Sequence, residues 1–419
     1  MIGVAAKLSR KANSAVRSSR LGPNSNTPYL FCQSPPFRTL HGGINGSDAS
    51  PVALQMINYA LSHARSQKSD ESYGQGLLVL EQCLSTQFSE EGQHAENSMG
   101  LVLLAMSTLF SERGNFDDAI EKLQRIEDLT HSSLGVRVSA MEALVGLHLE
   151  LGQDDASSVI ADKCLELVEK EEPKTGGGNS VPLSARAKAA KGLVELVCGN
   201  LESAETFLQG CGNSEGITGE VHGVNIVEDI IVQCIDVLIY SDLHALAACN
   251  MSSEEVLLAA TCALGQLEAH MGNYGDAEDL LSRALSNTED HFGSHHPKVG
   301  VVLTCLPLMF RHKAMQEHSS SLLIQEGLYR KAIELLKAPP LETNDAEAKV
   351  DRSDIVALAR GGYAEALCVQ QNRKVQGEKM KSWAEAAWRN RRLSLADVLE
   401  ISEPSSKVHV IDTRTCRVL

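Results

Sequence analysis

His291, His295 and His296 fall within six residues of one another. Neutral imidazoles brought to one side of such a stretch, about 2 Å from an ion and completed by a further ligand, would form a metal site. Two glycine runs, Gly176–Gly178 and Gly210–Gly219, hold the residue type that cradles phosphate. A phosphate loop needs GxxxxGK followed by Ser or Thr, between a strand and a helix, and neither run has the lysine or the strand. Both read as linkers. Fourteen histidines and eleven cysteines are spread along the chain, and no Ser–His–Asp or Cys–His grouping can be defended among them. Catalytic groups are recognised by geometry, which chance neighbours in sequence do not supply. No catalytic or cofactor-binding residue is assigned, no cofactor is expected, and the chain is expected not to be an enzyme. The cysteines (Cys32, Cys83, Cys164, Cys198, Cys211, Cys234, Cys249, Cys262, Cys305, Cys368 and Cys416) form no CxxC pair. Their odd number and apolar helical settings predict free, mostly buried thiols.

The elements that would position any site follow from a repeated phrase. It reads GNFDDAIEKLQRI from Gly114, GNLESAETFLQGC from Gly199 and GNYGDAEDLLSRAL from Gly272. A looser copy, GLYRKAIELLK, starts at Gly327, and a damaged one, GQDDASSVIADKCLEL, at Gly152. A glycine takes positive φ readily, so each phrase marks a turn that ends one helix and opens the next. Repeated helical hairpins stack into a solenoid.

These phrases resemble tetratricopeptide repeats. Around Gly272 the family frame, a unit of about 34 residues, puts a large and a small residue, Leu264 and Gly265, on the first helix. Tyr274, Ala277, Leu281 and Ala284 then follow along the second. The same frame gives Phe116 and Ala119 after Gly114, Ala204 after Gly199, and Tyr329 and Ala332 after Gly327. Small residues at Gly265 and Ala277 let two helices approach closely. The marker glycines stand 38, 47, 73 and 55 residues apart, so loops or extra helices lie between hairpins. The stretch HFGSHHPKVGVVL from His291 resembles the longer repeats of kinesin light chains, which pass through an FGxxHPxV loop. That resemblance accounts for His296 and Pro297 as loop structure, and no metal ligand is assigned. The implied fold is all-α, a right-handed α-solenoid of irregular tetratricopeptide-like hairpins over residues 51–394.

Chaperone-binding members of this family hold a carboxylate with Lys, Asn and Arg on successive first helices. The matching positions here are Leu101, Leu104, Ala105 and Thr108, then Ser139, Glu142, Ala143 and Gly146. They continue as Arg186, Ala189, Ala190 and Leu193, then Ala259, Cys262, Ala263 and Gln266. The clamp is absent, so acidic chaperone C-termini are not expected partners. The face is small, apolar and mildly polar, which suits an extended peptide or a packed helix, or packing within the solenoid alone. Glu142, Arg186, Gln266 and His270 are the candidate partner-binding residues.

The chain has 419 residues, a net charge of −16 and only 4% aromatic residues. An acidic body argues against nucleic-acid binding, which wants a basic surface. No apolar run is long enough to predict a transmembrane helix. Residues 1–47 differ: Lys7, Arg10, Lys11, Arg17, Arg20 and Arg38 occur there with no Asp or Glu. That composition predicts an organelle transit peptide over residues 1–40, mitochondrial (matrix) or alternatively chloroplast. Its removal leaves 32 basic and 54 acidic residues, a net −22. Residues 41–50 read as a flexible lead-in. The segments Glu171–Pro182, Gly210–Glu220 and Ala338–Asp351 read as loops, 221–243 as a deeply packed apolar helix, and 352–371 with 376–394 as a terminal helix pair. Residues 395–419 are a C-terminal tail, in which KVHVIDTRTCRVL from Lys407 alternates like a strand without an evident partner and is expected to be irregular or locally paired. The expected function is a non-catalytic protein–protein adaptor or scaffold in mitochondria. The alternative is an integral or assembly subunit of a large organellar complex with no exchangeable groove.

Overall fold

The computed structural model describes residues 49–87, 92–171, 180–209, 247–341, 351–400 and 409–419. The expected leader, the glycine stretches Gly176–Gly178 and Gly210–Glu220, the expected helix 221–243, and Cys32, Cys211 and Cys234 lie outside the described residues. Among the described residues the fold is all-α apart from one two-stranded hairpin. The helices come in pairs. They are α1 (Pro51–Gln67) with α2 (Asp70–Gln87), α3 (Gln93–Glu112) with α4 (Phe116–Glu127), α5 (Leu134–Glu150) with α6 (Asp154–Glu171), and α7 (Ser180–Cys198) with α8 (Leu201–Gln209). After a short turn at Cys249–Met251 come α9 (Ser253–His270) with α10 (Tyr274–Phe292), α11 (Pro297–Gln316) with α12 (Leu322–Leu335), and α13 (Ser353–Cys368) with α14 (Lys374–Ala387). A single turn, α15 (Leu395–Leu399), precedes β1 (Ile411–Asp412) and β2 (Arg417–Val418).

Successive helices pack on one another from α1 to α8 and from α9 to α14, and odd-numbered helices also touch one another, α1–α3–α5–α7 and α9–α11–α13. They form an inner layer. The inner helices α3, α5, α11 and α13 are buried around most of their circumference, as their continuous apolar sequences require. An outer helix such as α4 buries one stripe, Phe116, Ala119, Leu123 and Ile126, at helical spacing. Full burial of a side chain such as Leu123 contributes about 1.5–3 kcal/mol.

Four turns between inner and outer helices are the same object. Gly114, Gly152, Gly199 and Gly272 have φ of 78°, 71°, 86° and 84°. In each turn the residue after glycine donates back to a carbonyl five residues earlier: Asn115 to Phe110, Gln153 to His148, Asn200 to Glu195 and Asn273 to Glu268, at 2.8–2.9 Å. This reversed bond closes the helix end and satisfies a carbonyl that would otherwise be orphaned.

Gly327 does something else. It lies inside α12, so the turn expected there is corrected. The turn comes nine residues earlier, where His318 has φ 48° and Ser319 N donates to Ala314 O at 2.9 Å. An L-residue in this left-handed conformation costs about 1–2 kcal/mol, partly offset in glycine by its larger loss of chain entropy. His318 is exposed. His318→Gly is therefore expected to stabilise the chain by about 0.5–1 kcal/mol in urea unfolding; a loss of stability would refute this account of the turn.

The last pair is also shorter than expected. α14 ends at Ala387, and Trp388 is extended rather than helical. The Asn390 side chain accepts from Arg392 N (2.9 Å) and Leu393 N (2.8 Å), and a Ser394–Asp397 capping box then opens α15.

Candidate partner-binding site

Residues 409–419 fold as a hairpin against the inner layer, and every one of them is buried. Ile411 pairs with Val418 and Asp412 with Arg417, and Val410 and Leu419 exchange both backbone hydrogen bonds at 2.8–2.9 Å. Asp412 builds the turn. Its carboxylate accepts from Arg414 N at 2.9 Å, Arg414 Nη2 at 3.1 Å and Thr415 Oγ1 at 3.2 Å. Local side-chain capture of this kind is how aspartate nucleates turns. The expectation of local pairing holds, and the partner that sequence did not supply is the inner face of the helices.

That face grips the hairpin by its main chain. Gln266 on α9 spans Ile411: Oε1 accepts from Ile411 N at 2.8 Å, and Nε2 donates to Ile411 O at 3.0 Å. His270, one turn on, donates from Nε2 to His409 O at 3.0 Å. Asn250 Nδ2 donates to Arg414 O at 3.2 Å and also to Gly146 O and Glu150 Oε2. Asn390 Nδ2 donates to Val418 O at 2.6 Å. Gly146 admits Asn250 because it lacks a side chain; a Cβ there would lie 2.1 Å from Asn250 Oδ1.

Charge is paired across the site. Arg417 lies between Asp154 at the start of α6 (3.1 Å) and Asp354 at the start of α13 (3.2 Å), all three buried. Burial pushes the Asp354 carboxyl up, and Arg417 opposes it. Arg352 pairs with Glu150 at 2.7 Å, and Lys298 with Glu255 at 2.6 Å. The apolar side chains of the hairpin enter different cores. Ile411, Cys416 and Val418 join the cluster of α9–α15, Leu419 joins Val145, Leu149 and Leu193 of α5 and α7, and Val410 meets Ala263. The thiol of Cys416 is pushed up to about 12 by burial beside Glu150, and Cys262 and Cys305 lie 3.7 Å apart as free thiols.

The four candidate residues divide. Gln266 and His270 hold the hairpin. Glu142 and Arg186 are buried and bonded to each other, with Ser139 Oγ accepting from Arg186 Nη2 at 3.1 Å. They tie α5 to α7. Of the other positions assigned to this face, Leu193, Ala259 and Ala263 border a small cavity shared with Val410, Asp412 and Leu419. Thr108 accepts from Cys249 N at 3.2 Å. Asp154, Asp354, Asn250 and Asn390 went unrecognised, because they lie at helix ends and in turns that the repeat frame does not register. Of the remaining repeat positions, Phe116, Ala119, Ala204, Ala277, Tyr329 and Ala332 are buried, whereas Leu264, placed by the frame beside Gly265, is exposed. A Cβ on Gly265 would lie 2.9 Å from Leu281 Cγ, and Tyr274 is half-buried against the α9–α15 core.

The three clustered histidines are held apart. His296 caps α11, accepting from Lys298 N, and its Nε2 donates to Glu112 O at 2.9 Å. Burial, with Lys298 and Arg352 nearby, pushes it down to about 3. His291 faces Glu254 at 3.8 Å, and His295 is exposed. Among the described residues no helix is long and apolar enough to cross a membrane. No family model matches this chain, and no curated protein matches it either.

Proposed function

We propose that this chain is a non-catalytic interaction scaffold, a right-handed tetratricopeptide-like solenoid that presents its inner face to a protein partner in mitochondria. The observation that carries this reading is Gln266, whose amide takes both backbone groups of Ile411. Recognition of an extended main chain by a side-chain amide is a binding arrangement, independent of the side chain it captures. The four repeated glycine turns support the repeat assignment, and the acid-free leader supports import. Crosslinking in intact mitochondria, followed by native immunoprecipitation of the untagged chain and mapping of crosslinked peptides, tests it. Partners crosslinked to α9, α11 and α13 are expected; recovery of the chain without any protein partner would overturn it.

A second reading, an assembly subunit, draws on a different surface. Leu323, Val375 and Val369 are 85%, 82% and 69% exposed. Each lies within three residues of a member of the Glu326–Gln370–Arg373 hydrogen-bond group. Exposed apolar side chains rimmed by polar ones mark contact surfaces. Crosslinks confined to these residues, with the chain running wholly in one large species on a native gel, would favour this reading over the first.

A further inference from the structure

The hairpin 409–419 is held as a ligand is held. Its backbone is taken by side chains of distant elements, Asn250, Gln266, His270 and Asn390, and among the described residues it pairs as a strand only with itself. Its Arg417 is seated between carboxylates supplied from two sides, Asp154 and Asp354. Desolvation offsets most of the attraction in a buried ion pair, so its presence is weak evidence for stability. Without the hairpin, Asp154 and Asp354 would lose Arg417, while Glu150 and Glu255 would keep Arg352 and Lys298. The partly exposed Arg391 also reaches Asp154, at 3.6 Å. The vacated face thus offers one arginine seat between Asp154 and Asp354, with an amide set to receive an extended main chain and small apolar positions at Ala259 and Ala263.

We infer that residues 409–419 are a built-in ligand of this face, and that the external partner competing with them is an extended, arginine-bearing segment with β-branched apolar residues beside it. The inference rests on the scaffold reading above and names the partner chemistry of that same site. Tethering sets a high local concentration of the built-in ligand, so an external segment binds only by displacing it. The face is self-closed until such a competitor arrives.

The probe is a fluorescent synthetic peptide of residues 409–419, followed by anisotropy. It is added to the full-length chain and to a full-length variant carrying Ile411→Asp and Arg417→Ala in its own hairpin. The peptide is expected to bind the variant at least about 100-fold more tightly than the unmodified chain. A peptide with Arg417→Ala is expected to lose at least about 10-fold in affinity for the variant. Failure of the peptide to bind a variant that keeps its helical circular dichroism and cooperative melting would overturn the inference. It would leave the scaffold reading standing, since that reading is decided separately by whether partners crosslink to α9, α11 and α13 of the unmodified chain. Should the variant not fold, hydrogen exchange on the unmodified chain decides. Ile411 and Leu419 amides exchanging well before those of α9 and α13 would support a displaceable ligand. Exchange of all of them only through global unfolding would overturn it.

Discussion

Arg352→Ala is expected to lower the unfolding free energy by about 3–5 kcal/mol, the effect of breaking a buried ion pair from one side. Arg352 donates to Glu150 from Nε at 2.9 Å and contacts it through Nη2 at 2.7 Å, and the two residues are 202 apart in sequence. Its guanidinium also lies 5.2 Å from the centre of the Phe116 ring. The pair therefore fastens the start of α13 to α4 and α5. Glu150 is 1% exposed. Burial alone would raise its pKa, but Arg352, Lys298 and the hydrogen bonds from Arg352 and Asn250 outweigh burial and hold it below the ordinary range. A depressed carboxyl contributes stability above its unfolded pKa of about 4.3 and loses it as pH falls through the folded value. Without Arg352 the sign reverses. Glu150 would stay buried with no cation in contact, its pKa would rise, and the folded state would bind the proton first. The variant's deficit relative to the parent should narrow as pH falls from 7 toward 5, the histidine titrations common to both chains cancelling in that difference. Glu150→Gln in the same chain should restore much of the loss at pH 7, because a neutral amide removes the unpaired charge. Guanidinium unfolding at three pH values checks all of this. A loss of under about 1 kcal/mol would mean that Glu150 is solvated, since that is what exposed pairs yield.

The glycine phrases were legible because the conformation and the residue type coincide. Gly114, Gly152, Gly199 and Gly272 are where positive φ is least costly, and all four end an inner helix. His318 makes the same turn without the residue that advertises it, so the phrase at Gly327 drew the boundary into the middle of a helix. The inner-face positions were legible for a similar reason. Once one turn is placed, helical periodicity carries Thr108, Gly146, Leu193 and Gln266 to one side. What covers that side was not legible. Gln266 is 145 residues from Ile411, Asn250 is 164 from Arg414, and Asp154 is 263 from Arg417. Val and Ile alternation around Asp412 signals an extended segment but carries no address. Glu142 and Arg186 read as two groove groups for the same reason. Each is polar on an inner helix, and only the packing of α5 on α7 turns one toward the other.

Acid is expected to loosen the hairpin through His409, and the sign can be worked out from its surroundings. His409 is 9% exposed, with the ring of His270 at 5.1 Å, and His312 lies 5.7 Å beyond His270. The groups that bear on these rings are basic: Arg392 on His409 and Arg311 on His312. Burial first, then the neighbouring imidazoles and then these arginines push His409 down to about 3 and His312 down to about 4, and burial lowers His270. A histidine free in the unfolded chain titrates near 6.5. A folded value below that means the unfolded state takes up the proton first. The stability His409 supports is present above about pH 6.5 and is lost as pH falls from there toward 3. At pH 5 the loss from His409 alone is about 2 kcal/mol, and His312 and His270 act in the same direction. His409→Gln removes this titration while keeping a polar side chain at the site. Unfolding free energy should therefore fall between pH 7 and pH 5 in the parent, and fall by about 2 kcal/mol less in His409→Gln over the same interval. Carboxylates common to both chains cancel in that difference, so the comparison reads His409 together with its coupling to His270 and His312. Parallel curves would show that His409 already meets water when folded. The hairpin would then be less tightly enclosed than the contacts of Gln266, His270 and Asn390 imply.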